Sequence, residues 1–414
     1  MTEKSGCEVA VVGAGVVGLC VAYQLAREGR DVVLVDPEAP GAGASFGNAG
    51  TIADYAVEPV GTPDVLRNLP SLLFDRNSPL SIRRAALPSL APWLLRFARQ
   101  SLPGAARRNA LALAALLGDA APRWRNLASD IGESGHLANR GCLYMFESTR
   151  ARKAAEGGLA RRRDLGVSVD LVSPEELKQL EPGLPPCEGG GAFFSQALFM
   201  TDPGRMMARL AAAAEAAGVR MMRARITGIT RQTDHVVLTA KAASLSARHA
   251  VLAAGAHSKD LARQAGDRVP LETERGYHVE YDMPVAPVTR PVCPTSRGFY
   301  ICPMHGRLRM AGTVELGGLT APPSPHRLAR IEEGARAIFD NLPAPSRNWM
   351  GFRPSMPDSL PVIGFSKGGR DVVHAYGHGH IGLTLAPVTG ALVADMIAGR
   401  GTSIDVAPYR PDRF

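Results

Sequence analysis

The sequence lacks the features that mark several classes of protein. None of its 414 positions falls in a run of eighteen apolar residues, the length that a membrane-spanning helix requires. The first fifteen residues pass almost directly into an apolar, strand-like stretch and lack the pattern of a cleavable signal. These absences favour a soluble cytoplasmic protein.

Cysteines are few and scattered. No CxxC pair and no ligand-like spacing occurs among them, so neither a zinc site nor a disulfide framework is supported. The six cysteines, predicted to be free thiols, are Cys7, Cys20, Cys142, Cys187, Cys293 and Cys302. His378 and His380 lie two positions apart without a cluster of carboxylates or thiolates, so we predict no metal.

The sequence also lacks a basic stripe interleaved with aromatic residues. Its formal net charge of +8 is dispersed, which favours anionic ligands in general but argues against nucleic-acid binding. With 45% hydrophobic and 21% charged residues, the chain is typical of a globular protein of two domains. Residues 91–117 are apolar and basic, and we interpret them as a helical layer of the second domain. The alternative is peripheral contact with the inner face of a membrane.

What the sequence does contain is a glycine turn between two apolar strand-like stretches. Residues 9–12 precede the turn, a helical pattern follows it, and residues 32–35 form a second buried strand ending at Asp36. This order and spacing predict a dinucleotide site. Gly13 allows the tight turn, Gly15 the close approach of a pyrophosphate, and Gly18 close helix packing, while Asp36 is placed to bind a ribose. The alternative is a glycine-rich turn in another α/β unit.

The glycine turn does not distinguish NAD from FAD, but the rest of the chain does. Residues 37–50 form a long loop of small residues instead of a third strand. Residues 203–217 predict a helix, and residues 219–222 and 236–239 predict strands. Residues 250–256 then read as a buried strand ending in a glycine turn. Elements of the dinucleotide fold therefore return far downstream of the first glycines.

Near the C terminus the sequence carries GFRPSMPDSLPVIG from Gly351, a strand at residues 372–376 and GHGHIGLTLAP from Gly377. With VVGAGVVG, SFGNAG, LAAGAHS and GFYICP, these motifs resemble the D-amino-acid oxidase superfamily over nearly the whole chain. Within it they are most similar to the glycine oxidase and bacterial D-amino-acid dehydrogenase branch. The resemblance implies an α/β fold, α+β over the whole chain. In it, a Rossmann-type FAD-binding domain built from discontinuous segments joins a substrate domain with a mainly antiparallel sheet.

The resemblance also implies two domains and their extents. The FAD-binding domain is expected to span residues 1–65, 198–265 and 352–414, and the substrate domain residues 66–197 and 266–351. Candidate strands of the substrate sheet are residues 142–146, 278–282, 300–303 and 308–312.

By the same resemblance, Arg353 is expected to anchor the substrate carboxylate, with Tyr300 assisting. A planar guanidinium can pair with a carboxylate through two hydrogen bonds. The alternatives are a surface ion pair for Arg353 and a half-buried strand tyrosine for Tyr300. The segment from Glu272 to Val279 resembles relatives that handle D-proline or hydroxy-D-proline. Tyr277 and His278 are therefore secondary candidates for the pocket, unless they are alternating strand residues at a domain junction.

The resemblance places the remaining site residues around FAD. The expected cofactor-binding residues are Gly13, Gly15, Val16, Val17, Gly18, Asp36, Ser45, Asn48, Ala49, Ala253, Gly255, Gly379, His380, Gly382, Leu383 and Thr384. Sarcosine oxidases tether their flavin through a cysteine just before the final acid-containing run. The stretch around Gly351 has no cysteine, so non-covalent FAD is expected.

The expected reaction is hydride transfer from the substrate Cα to flavin N5, with a D-amino acid such as D-proline or cis-4-hydroxy-D-proline as donor. The electron acceptor is left open between oxygen and a quinone or other carrier, and a homo-oligomer is also considered. Rival interpretations are an oxidase of glycine-like or sarcosine-like amines and a flavoenzyme acting on tRNA or glycerol phosphate. A third is a non-catalytic FAD-binding subunit of a multi-subunit dehydrogenase.

Overall fold

The computed structural model describes residues 5–67 and 80–414, in which strands and helices alternate along the chain. The strands are β1 Ser5–Val12, β2 Val32–Asp36, β3 Thr51–Ile52, β4 Leu80–Ile82, β5 Leu137–Ala138, β6 Cys142–Met145, β7 Asp170–Val172, β8 Gly191–Phe194, β9 Leu198–Met200, β10 Arg220–Arg223, β11 Ile226–Arg231, β12 Val236–Ala240, β13 Ser244–Leu252, β14 Glu272–Asp282, β15 Val292–Pro294, β16 Phe299–Met304, β17 Arg307–Leu316, β18 Arg347–Ser355, β19 Val362–Ser366 and β20 Gly369–Tyr376. The α-helices are α1 Val16–Arg27, α2 Pro63–Arg67, α3 Leu87–Gln100, α4 Pro103–Leu117, α5 Ala120–Asp130, α6 Thr149–Asp164, α7 Pro174–Leu180, α8 Pro203–Ala216, α9 Ser258–Gln264, α10 Pro325–Arg336 and α11 Gly382–Ala398.

The first large sheet has a parallel centre in the order β10, β2, β1, β13 and β20. Strand β13 divides its pairing: residues 244–247 pair antiparallel with β12, and residues 250–252 pair parallel with β20. Its central strands are continuous apolar runs, as expected of a parallel sheet covered on both faces.

The two faces of this sheet carry separate cores. Val9 and Val11 of β1 belong to the core formed with α1, α8 and α11, whereas Ala10 and Val12 belong to the core beneath β11, β12 and α9. The period of two along a strand produces this division. Helix α1 packs closely on α11, where a Cβ on Gly390 would lie only 2.9 Å from the Cys20 carbonyl oxygen.

One helical stretch in the described chain, Gly379–Ala398, is long and apolar enough to cross a membrane by length and composition alone. It comprises a 3₁₀ turn followed by α11, and 67% of its most apolar part is buried within the protein. Its packing against α1, α5 and strands β19 and β20 accounts for its apolar composition.

The second large sheet is mainly antiparallel, in the order β18, β14, β17, β16, β15, β6, β8 and β7. Only the β15–β6 and β17–β4 pairs in it are parallel. Strand β14 lies between β17 and β18 over most of its length, and residues 273–281 are buried. A small sheet, in the order β3, β9 and β5, completes the structure.

The predicted α/β fold is confirmed, but several element boundaries differ from the prediction. Residues 91–117 form parts of two helices, α3 and α4, because Pro103 lacks the backbone N–H that a continuous helix would need. The strand predicted at residues 278–282 is the last part of the longer β14. The strand predicted at residues 250–256 ends at Leu252, where the chain turns into Gly255 with φ of +55°.

Candidate active site

A cavity of about 870 Å³ lies between the two large sheets, and both contribute to its wall. Most of the predicted site residues line it: Gly13, Gly15, Val16, Val17, Asp36, Ser45, Asn48, Ala49, Ala253, Gly255, Tyr277, Tyr300, Arg353, Gly379, His380, Gly382 and Leu383. Gly18, His278 and Thr384 lie outside the lining. Residues that lie far apart in sequence, from Gly13 to Leu383, thus meet around one space.

The glycine turn is shaped for a close approach of backbone to a ligand. Gly13 has φ of +110°, and a Cβ there would lie 2.4 Å from the Ala253 carbonyl oxygen. Gly18 serves packing, because its Cβ would lie 1.8 Å from the Gly13 carbonyl oxygen. Helix α1 begins at the cavity wall, where the positive end of its dipole suits a pyrophosphate.

Ser45 and Asp36 hold this turn in place. The Val16 amide donates to Ser45 Oγ at 2.9 Å. The Ala14 amide donates to Asp36 Oδ2 at 2.7 Å, and the Glu38 amide donates to Oδ1 at 2.8 Å. Each carboxylate oxygen keeps a further lone pair, so Asp36 can brace the turn and still accept a ribose hydroxyl.

The C-terminal turn brings two neutral imidazoles to the cavity. Burial lowers the pKa of His378 to about 3, and its Nε2 lies 2.9 Å from Thr389 Oγ1. The surrounding protein and the charge of Arg353 lower the pKa of His380 to about 4, although its side chain is exposed along the cavity wall. Thr384 joins α11 to the chain after β3, since the Ala53 amide donates to its Oγ1 at 3.0 Å. Both histidines are therefore uncharged at neutral pH.

Arg353 lies on β18, directly across from Glu274 on β14. Its Nη1 donates to the Thr313 carbonyl oxygen at 3.1 Å, and Thr313 has the left-handed φ of +56°. The guanidinium covers Gly276, where a Cβ would lie 2.5 Å from Arg353 Cζ. Burial lowers the pKa of Arg353 and the charge of Glu274 opposes the shift, yet an arginine stays protonated throughout the physiological range.

Three tyrosine hydroxyls meet in the part of the wall formed by the second sheet. The Tyr300 hydroxyl donates to the Tyr144 hydroxyl at 3.2 Å and lies 3.4 Å from that of Tyr55. The Tyr55 hydroxyl in turn donates to Cys142 Sγ at 3.2 Å. Burial raises the pKa of all three tyrosines, so they remain hydrogen-bonding phenols.

Tyr277 and His278 occupy different surroundings. Tyr277 lines the cavity, but its hydroxyl donates to Glu315 Oε1 at 3.1 Å and accepts from the Ser324 amide at 3.2 Å. His278 is buried with Nδ1 3.1 Å from the Gly47 carbonyl oxygen. The alternation along β14 puts these neighbours on opposite faces.

Sequence reasoning missed several residues of the site, among them four in the cavity wall and Glu274 outside it. Glu274, Gly276, Thr313, Tyr55 and Tyr144 are brought to the site by strand pairing or by loops. Of these five, Glu274 and Gly276 carried a usable signal, because both stand inside the segment from Glu272 to Val279 that supplies the candidates Tyr277 and His278. In residues 5–67 and 80–414, no group of three or more histidines, cysteines or acids is arranged to hold a metal ion.

Comparisons with known proteins agree with this geometry. The family described as FAD dependent oxidoreductase (DAO) matches residues 8–396. A protein named D-amino-acid oxidase from Bradyrhizobium diazoefficiens is 36% identical over 418 residues, covering 99% of each chain. One named D-amino acid dehydrogenase from Dechloromonas aromatica is 30% identical over 407 residues, covering 95% of this chain and 97% of its own.

Solved structures show the same fold. Glycine oxidase from Geobacillus kaustophilus superposes with a TM-score of 0.78 at 23% identity, covering 99% of both chains. L-proline dehydrogenase from P. horikoshii superposes with a TM-score of 0.75 at 20% identity, covering 100% of this chain and 98% of its own. The glycine turn, the braced Asp36 and the start of α1 fit the cofactor that this family uses. The chain belongs to the FAD-dependent oxidoreductase family of the D-amino-acid oxidases, and its cofactor is FAD.

Proposed function

We propose that this enzyme oxidises the carbon–nitrogen bond of a small D-amino acid, with D-proline or cis-4-hydroxy-D-proline as preferred substrates. The names of its relatives from Bradyrhizobium and Dechloromonas support a D-amino acid as the donor. The observation that carries the proposal is that Arg353, a charged side chain in the cavity wall, has no carboxylate partner among the described residues.

Arg353 is a charged group that lacks a carboxylate partner. Among the described residues it forms no ion pair, and its hydrogen bond to the Thr313 carbonyl oxygen uses one of five N–H donors. Glu274 stands across the strand pair, but burial raises the pKa of its carboxyl group. A half-buried guanidinium in a cavity wall favours a bidentate carboxylate partner, and the α-carboxylate of an amino acid fits that need.

The neighbouring residues then fix how the amino acid lies. Arg353 holds the carboxylate with the Tyr300 hydroxyl assisting, and the Tyr144 hydroxyl faces the remainder of the substrate. FAD, when bound, supplies the acceptor for the hydride that leaves the substrate Cα. The neutral amine becomes an imine after losing this hydride and its N–H proton. A primary amine then hydrolyses to a keto acid and ammonia, whereas the imine of a proline ring stays cyclic.

The tyrosine cluster supports a substrate with a polar group. Tyr300 donates to Tyr144, which leaves the Tyr144 hydroxyl proton available to a ligand in the cavity. A hydroxyl on the substrate ring would engage this proton, and a substrate lacking it would leave a half-buried donor without a partner. This favours cis-4-hydroxy-D-proline over D-proline.

The test is anaerobic reduction of the bound flavin by single amino acids. We expect bleaching by D-proline and cis-4-hydroxy-D-proline, with D-alanine, glycine and sarcosine slower and the L-enantiomers inactive. Faster reduction by glycine or sarcosine would instead support an oxidase of glycine-like amines. Stoichiometric flavin without reduction by any amino acid would favour a non-catalytic subunit. Reoxidation by oxygen and by a soluble quinone, compared in the same sample, identifies the acceptor.

We also propose that α3 and α4 form a surface for an anionic membrane. Leu95 is 74% exposed, and Leu102 and Leu111 are 50% and 54% exposed. Residues 87–118 contain four arginines and no acid, and within the described chain none of these arginines forms an ion pair. The four are Arg96, Arg99, Arg107 and Arg108. Exposed leucines beside unpaired arginines match a lipid surface of negative charge.

Sedimentation with lipid vesicles tests this surface. We expect binding to vesicles of phosphatidylcholine with phosphatidylglycerol, weaker binding to phosphatidylcholine alone, and loss of binding in the variant Leu95→Glu with Leu102→Glu. Val285→Glu is the matched control, because Val285 is 82% exposed on another part of the surface. Equal sedimentation of the double variant and this control would contradict the proposal.

A further inference from the structure

The back of one cofactor loop is held by side chains of the second sheet. Residues 45–50, here called the flavin loop, include four residues of the cavity wall: Ser45, Gly47, Asn48 and Ala49. On the other side of the loop, His278 Nδ1 lies 3.1 Å from the Gly47 carbonyl oxygen. Arg309 Nη1 donates to the Phe46 carbonyl oxygen at 3.3 Å and also to that of Asn48.

Trp349 completes this contact. Its ring stacks on His278, with 5.1 Å between the ring centres and 18° between the planes. The ring also occupies the space where Gly47 would carry a side chain, since a Cβ there would lie 2.2 Å from Trp349 Cε3. On the remaining side, a Cβ on Gly351 would lie 1.9 Å from Cη2 of the same ring. The indole is thus fixed by two glycines and an imidazole.

Strand pairing brings these side chains together. His278 of β14 is the direct partner of Trp349 on β18, and Glu280 of β14 is the direct partner of Arg309 on β17. Arg309 is 1% exposed, and its Nε donates to Glu280 Oε1 at 2.7 Å. Glu280 also accepts from Arg307 Nε at 3.1 Å, so the guanidinium that reaches the flavin loop is itself held in place.

The protonation of His278 follows from its surroundings. Burial, with the charge of Arg309, lowers its pKa to about 4, while Glu280 opposes the shift. The imidazole is therefore neutral at pH 7 and carries one N–H. Because the Gly47 carbonyl oxygen can only accept, that proton is on Nδ1.

The start of α1 holds the first residue of the flavin loop, and a hydrogen bond within the loop braces its last residues. The Val16 amide at the start of α1 donates to Ser45 Oγ, and the Gly50 amide donates to Asn48 Oδ1 at 2.8 Å. The path of the loop is therefore set jointly by the glycine turn and by three side chains of the second sheet. A change on the substrate side of the molecule can move backbone that lines the FAD cavity.

We propose that His278, Arg309 and Trp349 are positioning residues that set the path of the flavin loop, and through it the affinity for FAD and the midpoint potential of the bound flavin. The inference rests on the use of FAD but not on the choice of amino acid. FAD affinity is measured without substrate, so the inference about the flavin loop can fail while the proposed amino-acid oxidation stands. The proposed oxidation can likewise fail while the inference about the loop stands.

The experiment compares three variants with the unmodified protein by titrating apo-protein with FAD and measuring the flavin midpoint potential. His278→Leu leaves the buried Gly47 carbonyl without its donor, and we expect FAD affinity to fall about 10- to 100-fold. His278→Asn places an amide N–H near the position of Nδ1 and is expected to restore affinity to within about 3-fold of the unmodified protein. Arg309→Lys keeps the charge opposite Glu280 but loses the planar fork, and we expect an intermediate loss.

A second pair of variants tests the flavin loop directly, by a substitution in the loop and a matched control. This pair tests the proposal even if His278→Leu does not fold. Gly47→Ala places a methyl group against Trp349, and we expect weaker FAD binding and a shifted potential. Gly6→Ala is the matched control, because Gly6 lies outside the cavity wall and a Cβ on it would meet nothing within 4 Å. Equal FAD affinity in these two variants, or equal affinity in His278→Leu and His278→Asn, would overturn the proposal.

Discussion

Gly276→Ala is the sharpest test of the carboxylate site, because it adds one methyl group beneath the Arg353 guanidinium. A Cβ at this position would lie 2.5 Å from both Cζ and Nη2 of Arg353 and 2.9 Å from Nη1. Ordinary van der Waals contact begins at 3.4 Å, so the guanidinium must move by about 1 Å. Gly276 does not have a positive φ, so alanine is compatible with its place in β14.

A displacement of about 1 Å in a group that orients the substrate costs about 100-fold in rate. We therefore expect kcat/KM for the preferred D-amino acid to fall about 100-fold, while FAD affinity changes by less than about 2-fold. Acetate, a carboxylate that cannot react, should bind more weakly to the variant, and acetamide should bind both proteins equally poorly. These results would show that the substitution impairs the site that binds the substrate carboxylate and leaves the FAD site intact.

The control for this variant is Gly6→Ala, another strand glycine, whose Cβ would meet nothing within 4 Å. It should retain kcat/KM, FAD affinity and acetate binding. An unchanged kcat/KM in Gly276→Ala would refute the assignment of Arg353 as the carboxylate anchor. A loss of FAD affinity equal to the loss of kcat/KM would refute the argument that the methyl group acts through Arg353.

Three further predictions follow from other parts of the site. Tyr144→Phe removes the hydroxyl that accepts a hydrogen bond from Tyr300. We expect the ratio of kcat/KM for cis-4-hydroxy-D-proline to kcat/KM for D-proline to fall about 10-fold. An unchanged ratio would mean that the substrate hydroxyl binds elsewhere. FAD should be released into the supernatant when the enzyme is precipitated with acid. The only cysteine in the described wall of the cavity is Cys293, and burial raises its pKa, so it stays a neutral and unreactive thiol. Flavin retained in the pellet would show a covalent link. The free energy of unfolding of the apo-protein should fall as pH drops from about 6.5 towards 4, because the buried His278 and His378 stay neutral in the folded state, with pKa values of about 4 and about 3, while unfolded histidines take up protons. Each histidine contributes up to about 1.4 kcal/mol per pH unit to the pH dependence of the unfolding free energy in that window. When urea unfolding is measured at several pH values, the free energy of His278→Asn should therefore depend less steeply on pH than that of the unmodified protein. An equal dependence on pH would contradict the neutral state of His278.

The first sheet could be predicted well from sequence because its signals are local. Apolar β-branched runs, glycines at fixed spacing and the acid at the end of β2 all report on neighbouring residues. The same holds for the turn from Gly377, whose glycines mark tight backbone. These parts of the cavity wall correspond to the predicted positions, although the roles of the individual side chains stay predictions until the variants are measured.

The second sheet was less accessible, because its contributions depend on pairing between distant strands. Glu274 and Thr313 meet Arg353 only through the pairing of β14 with β17 and β18. The orientation of His278 depended on the register of β14, since a shift of one residue exchanges the two faces of a strand. A sequence pattern shows that these residues alternate but not which of them faces the cavity.

The pairing of β20 with β13, and of α11 with α1, has a consequence for the biosynthesis of the enzyme. Residues 5–36 supply the glycine turn, yet their sheet and their covering helix are completed only by residues 369–398. Until that last part of the chain emerges from the ribosome, the C-terminal end of β13 presents an unpaired edge and α1 an uncovered apolar face. We therefore expect FAD to bind only after synthesis of the chain is nearly complete. A chain truncated before β20 should be found with chaperones or in aggregates, without flavin.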